Sequence, residues 1–116
     1  MNEKYNPRQI VDKYVELCIK RAKRGVEAET DPGRDYWVRR SLVLESAREA
    51  LNRGETRQIE EIVVNDMTYD FGIAHREKSN YRRGLRKLRI LEALNPERAS
   101  FLRRRFEGID SEDAAN

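Results

Sequence analysis

Apolar residues recur every three or four positions along most of the chain, as they do in helices that bury one face. No stretch of useful length alternates apolar and polar residues in the manner of a half-buried strand. The sequence therefore predicts an all-α fold, a single compact domain of four to five helices over residues 1–108. The predicted helices span residues 7–24, 35–51, 55 to 69 or 75, 79–94 and 96–106.

Residues with strong preferences for helix ends set the first boundaries. Asn6 is a favourable N-cap, Pro7 suits the first helical position, and Gly25 predicts the end of this helix. Residues 26–34 form the predicted connection to the second helix. Apolar residues cover about half of the first helix, which indicates a central element that packs against more than one neighbour.

The later helices carry comparable signals. Gly54 closes the second helix, and Ser79 or Asn80 caps the fourth. Asn95, which precedes a proline, ends the fourth helix and starts the fifth. The side chains expected to be buried in the third and fifth helices are Ile59, Ile62, Val63, Met67, Phe101, Leu102 and Phe106.

Adjacent residues on a helix point about 100° apart. Of the neighbouring aromatics Tyr36 and Trp37, one is therefore expected to enter the core while the other stays at the surface. By the same spacing, the three consecutive arginines at 103–105 cannot share one helix face, so at least one points away from any single ligand.

Positive charge is concentrated between residues 75 and 106. This segment holds eleven Lys or Arg against three acidic residues, a net charge of +8, whereas residues 1–74 carry 13 basic and 14 acidic side chains. Clustered charge of this size is typical of a surface that binds a polyanion or an acidic protein. Residues 109–116 are expected to form a disordered acidic tail, which is either a solvated terminus or a rival for the basic surface.

The fourth predicted helix places apolar and basic residues on opposite faces. At about 100° per residue, one face carries Tyr81, Leu85, Leu88 and Leu91. The other carries five cations and no acid, although Ile90 lies among them. A helix of this kind can lie along a nucleic-acid groove. The basic residues predicted to bind nucleic acid or an acidic partner are Arg76, Lys78, Arg82, Arg83, Arg86, Lys87, Arg89, Arg103 and Arg104.

Two functions fit this charge pattern. The first is a small nucleic-acid-binding protein, a regulator or accessory factor. The alternative is a non-enzymatic interaction module (an inhibitor, adaptor or assembly factor) whose basic face docks an acidic partner. Residues 71–74 could also be the turn of a helix-turn-helix with recognition helix 79–91, but the six residues between 74 and 81 exceed the spacing of the compact motif. A homodimer is left open.

Other chemistry has little support in the sequence. Asp66, Asp70, His75 and Glu77 are the candidates for a metal or general-base site, but they lack the spacing of known metal ligands, so no enzyme activity and no cofactor are expected. The single cysteine, Cys18, favours a reducing, cytoplasmic location. Apolar runs no longer than three residues predict no contact with a membrane.

Overall fold

A computed structural model describes residues 7–28, 30 and 33–115, with side chains described as far as Phe106. These residues form five helices and no strand, so the predicted all-α class is confirmed. The chain divides into two compact units, Met1–Ile59 and Glu60–Asn116, and the domain boundary predicted at residue 108 stays a prediction. The helices are α1 (Pro7–Ala28), α2 (Gly33–Asn52), α3 (Arg57–Gly72), α4 (Lys78–Leu94) and α5 (Pro96–Ala115).

In the first unit, α1 and α2 run antiparallel. Near the start of α1, the Arg8 guanidinium donates hydrogen bonds to the Leu51 carbonyl oxygen and to Asn52 Oδ1 at the end of α2, each 3.4 Å long. Near the other end, Gly25 of α1 lies against Trp37 of α2. The buried side chains of the two helices are Val11, Val15, Ile19, Ala22, Leu44, Ala47, Ala50 and Leu51.

The predicted end of the first helix at Gly25 is wrong, because α1 continues through it to Ala28. A Cβ atom at Gly25 would overlap the ring of Trp37, so glycine here permits the close approach of α2. The predicted connection is correspondingly shorter, since α2 already begins at Gly33. The predicted N-cap, Asn6, lies outside the described residues.

Of the aromatic pair of α2, Tyr36 stays at the surface as expected, but Trp37 does not enter the core. Tyr36 is 58% exposed, whereas Trp37 is half-buried, and the Arg21 guanidinium lies 5.5 Å from the centre of the Trp37 rings. A wide buried face was expected on α1. The helix buries only a narrow stripe, and Leu17 is 55% exposed.

Gly54 ends the second helix as predicted. It has a φ of 85°, a conformation that favours glycine, and its N–H donates to the Leu51 carbonyl oxygen at 2.9 Å. The N–H of Glu55 then reaches back to the Ala50 carbonyl oxygen, also at 2.9 Å. These two bonds satisfy carbonyl groups that the end of a helix otherwise leaves open.

In the second unit, α4 runs back along α3. Asp70 near the end of α3 accepts a hydrogen bond of 3.1 Å from Asn80 near the start of α4. Glu60 near the start of α3 accepts one of 3.1 Å from Asn95, which directly follows α4. This antiparallel course differs from the crossing of about 90–120° between the helices of a helix-turn-helix.

Helix α5 turns back again and completes a three-helix arrangement with α3 and α4. Phe106 of α5 stacks on Phe71 of α3 with ring centres 4.7 Å apart. Both rings are buried, whereas Phe101 is 68% exposed, so the expectation that Phe101 packs in the core is wrong. About 200° of helical rotation separates Phe101 from the fully buried Ala99, which explains its position. The predicted stripe of α3 is confirmed, because its members Ile59, Ile62, Val63 and Met67 are all buried.

The predicted boundary between α4 and α5 agrees with the structure, whereas the predicted start of α4 and the predicted end of α5 do not. Asn95 ends α4 and caps α5, since its Oδ1 accepts the Arg98 N–H at 3.1 Å. At the other end, α4 begins at Lys78, after Glu77, and neither predicted cap, Ser79 or Asn80, is the N-cap. The backbone of α5 continues as helix past the predicted end at 106. The acidic tail stays a prediction, because its side chains lie outside the described part of the chain.

Candidate nucleic-acid interface

Three arginines of α4 form one exposed line, here called the arginine stripe: Arg82, Arg86 and Arg89. Their spacing of four and three residues keeps them within about 60° of one another around the helix, over a length of about 10 Å. Among the described side chains, none of the three forms an ion pair. Their guanidinium groups are therefore available to a ligand.

The face of α4 opposite the stripe is packed. Leu88 and Leu91 are buried as predicted, and Gly84 between them is buried against the ring of Phe71. Leu85, which the sequence places on the same face, is 38% exposed and lies at its edge. Because α4 is held through this face, the stripe directly opposite is presented to solvent.

Contrary to the prediction, Lys87 does not lie on the exposed basic face of α4. Its ammonium group forms an ion pair with Asp70, whose side chain is only 7% exposed, and Asn80 donates a second hydrogen bond to that carboxylate. The Lys87 side chain is itself only 20% exposed. We call these three residues the polar cluster. Lys87 there neutralises a buried carboxylate and contributes little charge to the exposed surface.

Two basic residues of α5 also have carboxylate partners. Arg98 contacts Glu61 at 2.9 Å and Glu60 at 3.4 Å. The hydrogen bond to Glu61 is the main cause of the raised pKa of Arg98, and burial opposes it only in part. Arg103, which is half-exposed, forms an ion pair with Glu92 of α4.

The remaining predicted site residues are exposed. All three arginines at 103–105 are exposed and Arg103 pairs with Glu92, so the divergence expected of the three stays a prediction. The predicted site residues that lie exposed outside the stripe are Arg76, Lys78, Arg83 and Arg104.

A cleft adjoins the arginine stripe. Arg89 belongs to both, and Arg103 lies at the cleft from the side of α5. The cleft has a volume of about 260 Å³, and its other lining residues are Phe71, Tyr81, Leu85, Leu88 and Phe106. Residues from three helices thus converge on a cleft lined by apolar side chains and two guanidinium groups.

Comparison with protein families, curated proteins and solved structures gives no match.

The candidates for metal or acid–base chemistry do not converge. Within the described residues, no group of three or more His, Cys, Asp or Glu side chains is placed to hold a metal ion. Asp70 belongs to the polar cluster, and His75 is exposed in the turn after α3. In the described part of the chain, no helix has both the length and the apolar character needed to cross a bilayer.

Sequence reasoning missed the cleft and the polar cluster. Both depend on contacts between residues that are 10 to 35 positions apart, such as Phe71 with Phe106 and Asp70 with Lys87. One signal was present: Gly84 interrupts a run of good helix formers, and an isolated glycine within a helix often marks close packing.

Proposed function

We propose that the protein binds nucleic acid through the arginine stripe of α4. The observation that carries the proposal is the placement of Arg82, Arg86 and Arg89 on one exposed line, without acidic partners among the described side chains, opposite a packed face. Arginine presents five donors in a planar fork that suits phosphate oxygens, so a line of three can follow a phosphate backbone.

Charge elsewhere in the second unit supports the same surface. Arg76, Lys78, Arg83 and Arg104 are exposed and add to the local positive potential. We assign Lys87 and Arg103 smaller shares in phosphate binding, because each is already paired with a carboxylate.

A salt titration tests the proposal most directly. Binding of the protein to duplex DNA, single-stranded DNA and RNA is measured by fluorescence anisotropy at several salt concentrations. The slope of log K against log salt is about −0.9 per phosphate contact on duplex DNA and about −0.7 on single strands. The triple variant R82Q/R86Q/R89Q should therefore bind more weakly, with a slope smaller in magnitude by about 2 to 3.

The matched control removes three positive charges from exposed positions of the first unit, Lys13, Arg24 and Arg57, by substitution with Gln. It has the same net charge as the stripe variant. Full affinity in the control and reduced affinity in the stripe variant support the proposal. Equal losses in both, or no binding of the wild type at low salt, refute it.

An alternative function is a protein-interaction module, and the first unit gives the observation that favours it. Tyr36, Leu42 and Val43 of α2 are 58%, 63% and 52% exposed, and Leu17 of α1 is 55% exposed. A protein partner docks where exposed apolar residues form one patch. Capture of partners with nuclease-treated protein separates the two functions. A partner retained after nuclease and lost in L42D favours this alternative, whereas a partner released by nuclease favours the first.

The proposal includes a cytoplasmic location, which the lone Cys18 supports, and leaves a homodimer open. Light scattering over a range of protein concentrations measures the oligomeric state.

A further inference from the structure

We infer that the cleft between α4 and α5 takes one unstacked base of a single-stranded nucleic acid, whose phosphates lie along the arginine stripe. This inference rests on the proposed function and specifies its substrate class. The juxtaposition that suggests it is at Arg89, which lies in the stripe and also lines the cleft. A strand bound along the stripe would thus place a base beside the cleft.

Aromatic and aliphatic side chains form the floor of the cleft. Phe71 and Phe106 stack with an interplanar angle of 18°, and Tyr81 meets Phe71 edge-on with ring centres 5.7 Å apart. Tyr81 is only half-buried and Leu85 is 38% exposed, so both present surface to an incoming ring. Aromatic and aliphatic surface of this kind is what single-strand binding proteins offer to bases.

Two guanidinium groups supply the polar contacts. Arg103 is held at the cleft by its ion pair with Glu92, and Arg89 approaches from α4. Guanidinium groups donate hydrogen bonds to ring nitrogens and carbonyl oxygens of bases and also stack on their faces. A base offers within one planar ring both a face for the apolar floor and acceptor atoms for these donors, which a single aliphatic or acidic side chain of a protein partner does not, and this is why we favour a base.

The size of the cleft restricts its ligand. At about 260 Å³ it lies just below the range of about 300–1,000 Å³ of pockets for whole small molecules, so it suits a single ring system. A base in a duplex is paired and stacked, and unstacking it costs a few kcal/mol. We therefore expect single strands to bind more tightly than duplexes of the same sequence.

The first experiment changes the ligand and leaves the protein intact. A single-stranded oligonucleotide is compared with one of equal length that carries abasic sites, which retain the phosphates and lack the bases. Stacking of a base on protein aromatics corresponds to roughly 5- to 150-fold in affinity, so the abasic strand should bind more weakly within that range.

The second experiment fills the cleft. Leu85→Trp places an indole at its partly exposed edge, and Tyr69→Trp adds an indole at an exposed position of α3 outside it. L85W should lose the preference for the intact strand over the abasic strand, and Y69W should keep it. In the wild type, the NMR signals of the Leu85 and Leu88 methyl groups should shift on addition of the intact strand, through the ring current of the base. They should shift less with the abasic strand.

The outcomes separate the inference from the function on which it rests. Equal affinity for intact and abasic strands, together with salt-dependent binding, overturns the cleft assignment and leaves the stripe as the nucleic-acid site. No binding of any strand at low salt overturns both. If L85W fails to fold, as judged by circular dichroism, the abasic comparison and the methyl shifts of the wild type decide the matter. Saturable binding of an acidic peptide with an apolar residue in the cleft, with no effect of oligonucleotides on the methyl signals, would assign the cleft to a protein partner.

Discussion

Gly84 of α4 lies directly against the ring of Phe71 of α3. A Cβ atom at position 84 would come within 2.8 Å of two ring carbons. The ring cannot move aside easily, because it is 2% exposed and stacks on Phe106. The absence of a side chain at Gly84 therefore sets how closely the helix that carries the arginine stripe approaches α3.

Replacement of Gly84 by alanine should destabilise the protein. Alanine favours a helix interior over glycine by about 1 kcal/mol, but forcing a methyl group into a packed core costs about 1–3 kcal/mol. We expect a net loss of up to about 2 kcal/mol in the free energy of unfolding, measured by urea denaturation. Gly72 is the control, since a Cβ built there meets no atom within 4 Å apart from its chain neighbours and the backbone of its own helix. Gly72→Ala should be neutral or stabilising, and an equal loss in both variants would contradict the account of Gly84.

Substitutions at the adjacent positions Arg86 and Lys87 of α4 should have different effects, the first on binding and the second on stability. Lys87→Met leaves the buried Asp70 carboxylate without its cation and should cost about 2–4 kcal/mol, somewhat less than the loss of a fully buried pair because Lys87 is 20% exposed. Arg86→Met removes an exposed charge and should change stability by no more than about 0.5 kcal/mol. Chemical denaturation measures the first effect and anisotropy measures the second. A stable Lys87→Met variant that binds oligonucleotides poorly would reverse these assignments.

The two phenylalanines of α5 offer a matched pair. Phe106→Ala empties part of the core and should cost about 3–5 kcal/mol, whereas Phe101→Ala should cost no more than about 0.5 kcal/mol, because Phe101 is 68% exposed. Thermal unfolding of the two variants makes the comparison. Similar losses in both would mean that Phe101 is covered in solution.

Arg98 should stabilise the second unit over the whole neutral range. Its pKa is raised in the folded state, mainly by the hydrogen bond to Glu61, so its contribution is complete below the unfolded pKa and is lost only as the pH rises through the folded value. Both values lie far above neutral pH. Arg98→Leu removes the hydrogen bonds that the guanidinium donates to Glu60 and Glu61 and should cost about 1–3 kcal/mol. The cost should be the same at pH 6 and pH 9, and a loss that varied strongly between them would indicate another titrating group.

The sequence predicts the helices well and their contacts poorly. The recurrence of apolar residues every three or four positions predicts the buried stripes of α3 and α4, because Met67 and Leu91 each lie at that spacing from other buried residues. Predictions from glycines were wrong where the glycine permits close packing. Gly25 resembles a helix end, but only the position of Trp37 shows that it permits an approach between two helices.

The candidate site was predicted in part for the same reason. Arg82, Arg86 and Arg89 share a face by local geometry alone, so the stripe could be derived from their spacing. Lys87 belongs by spacing to the same basic run, and its removal from the exposed surface depends on Asp70, which is 17 residues away in the sequence. Pairing of this kind is a property of the tertiary fold.

Asn95 is the only residue between α4 and α5, and its side chain bonds to both Glu60 and the Arg98 N–H. The joint between α4 and α5 therefore cannot accommodate an added residue without moving one of the helices. One inserted residue would rotate α5 by about 100° about its axis relative to α4 and advance it by about 1.5 Å. Arg103 would turn away from Glu92, and Phe106 would leave Phe71. This protein should tolerate many substitutions at the joint better than a change of its length, and related chains with the same cleft should keep a one-residue connection.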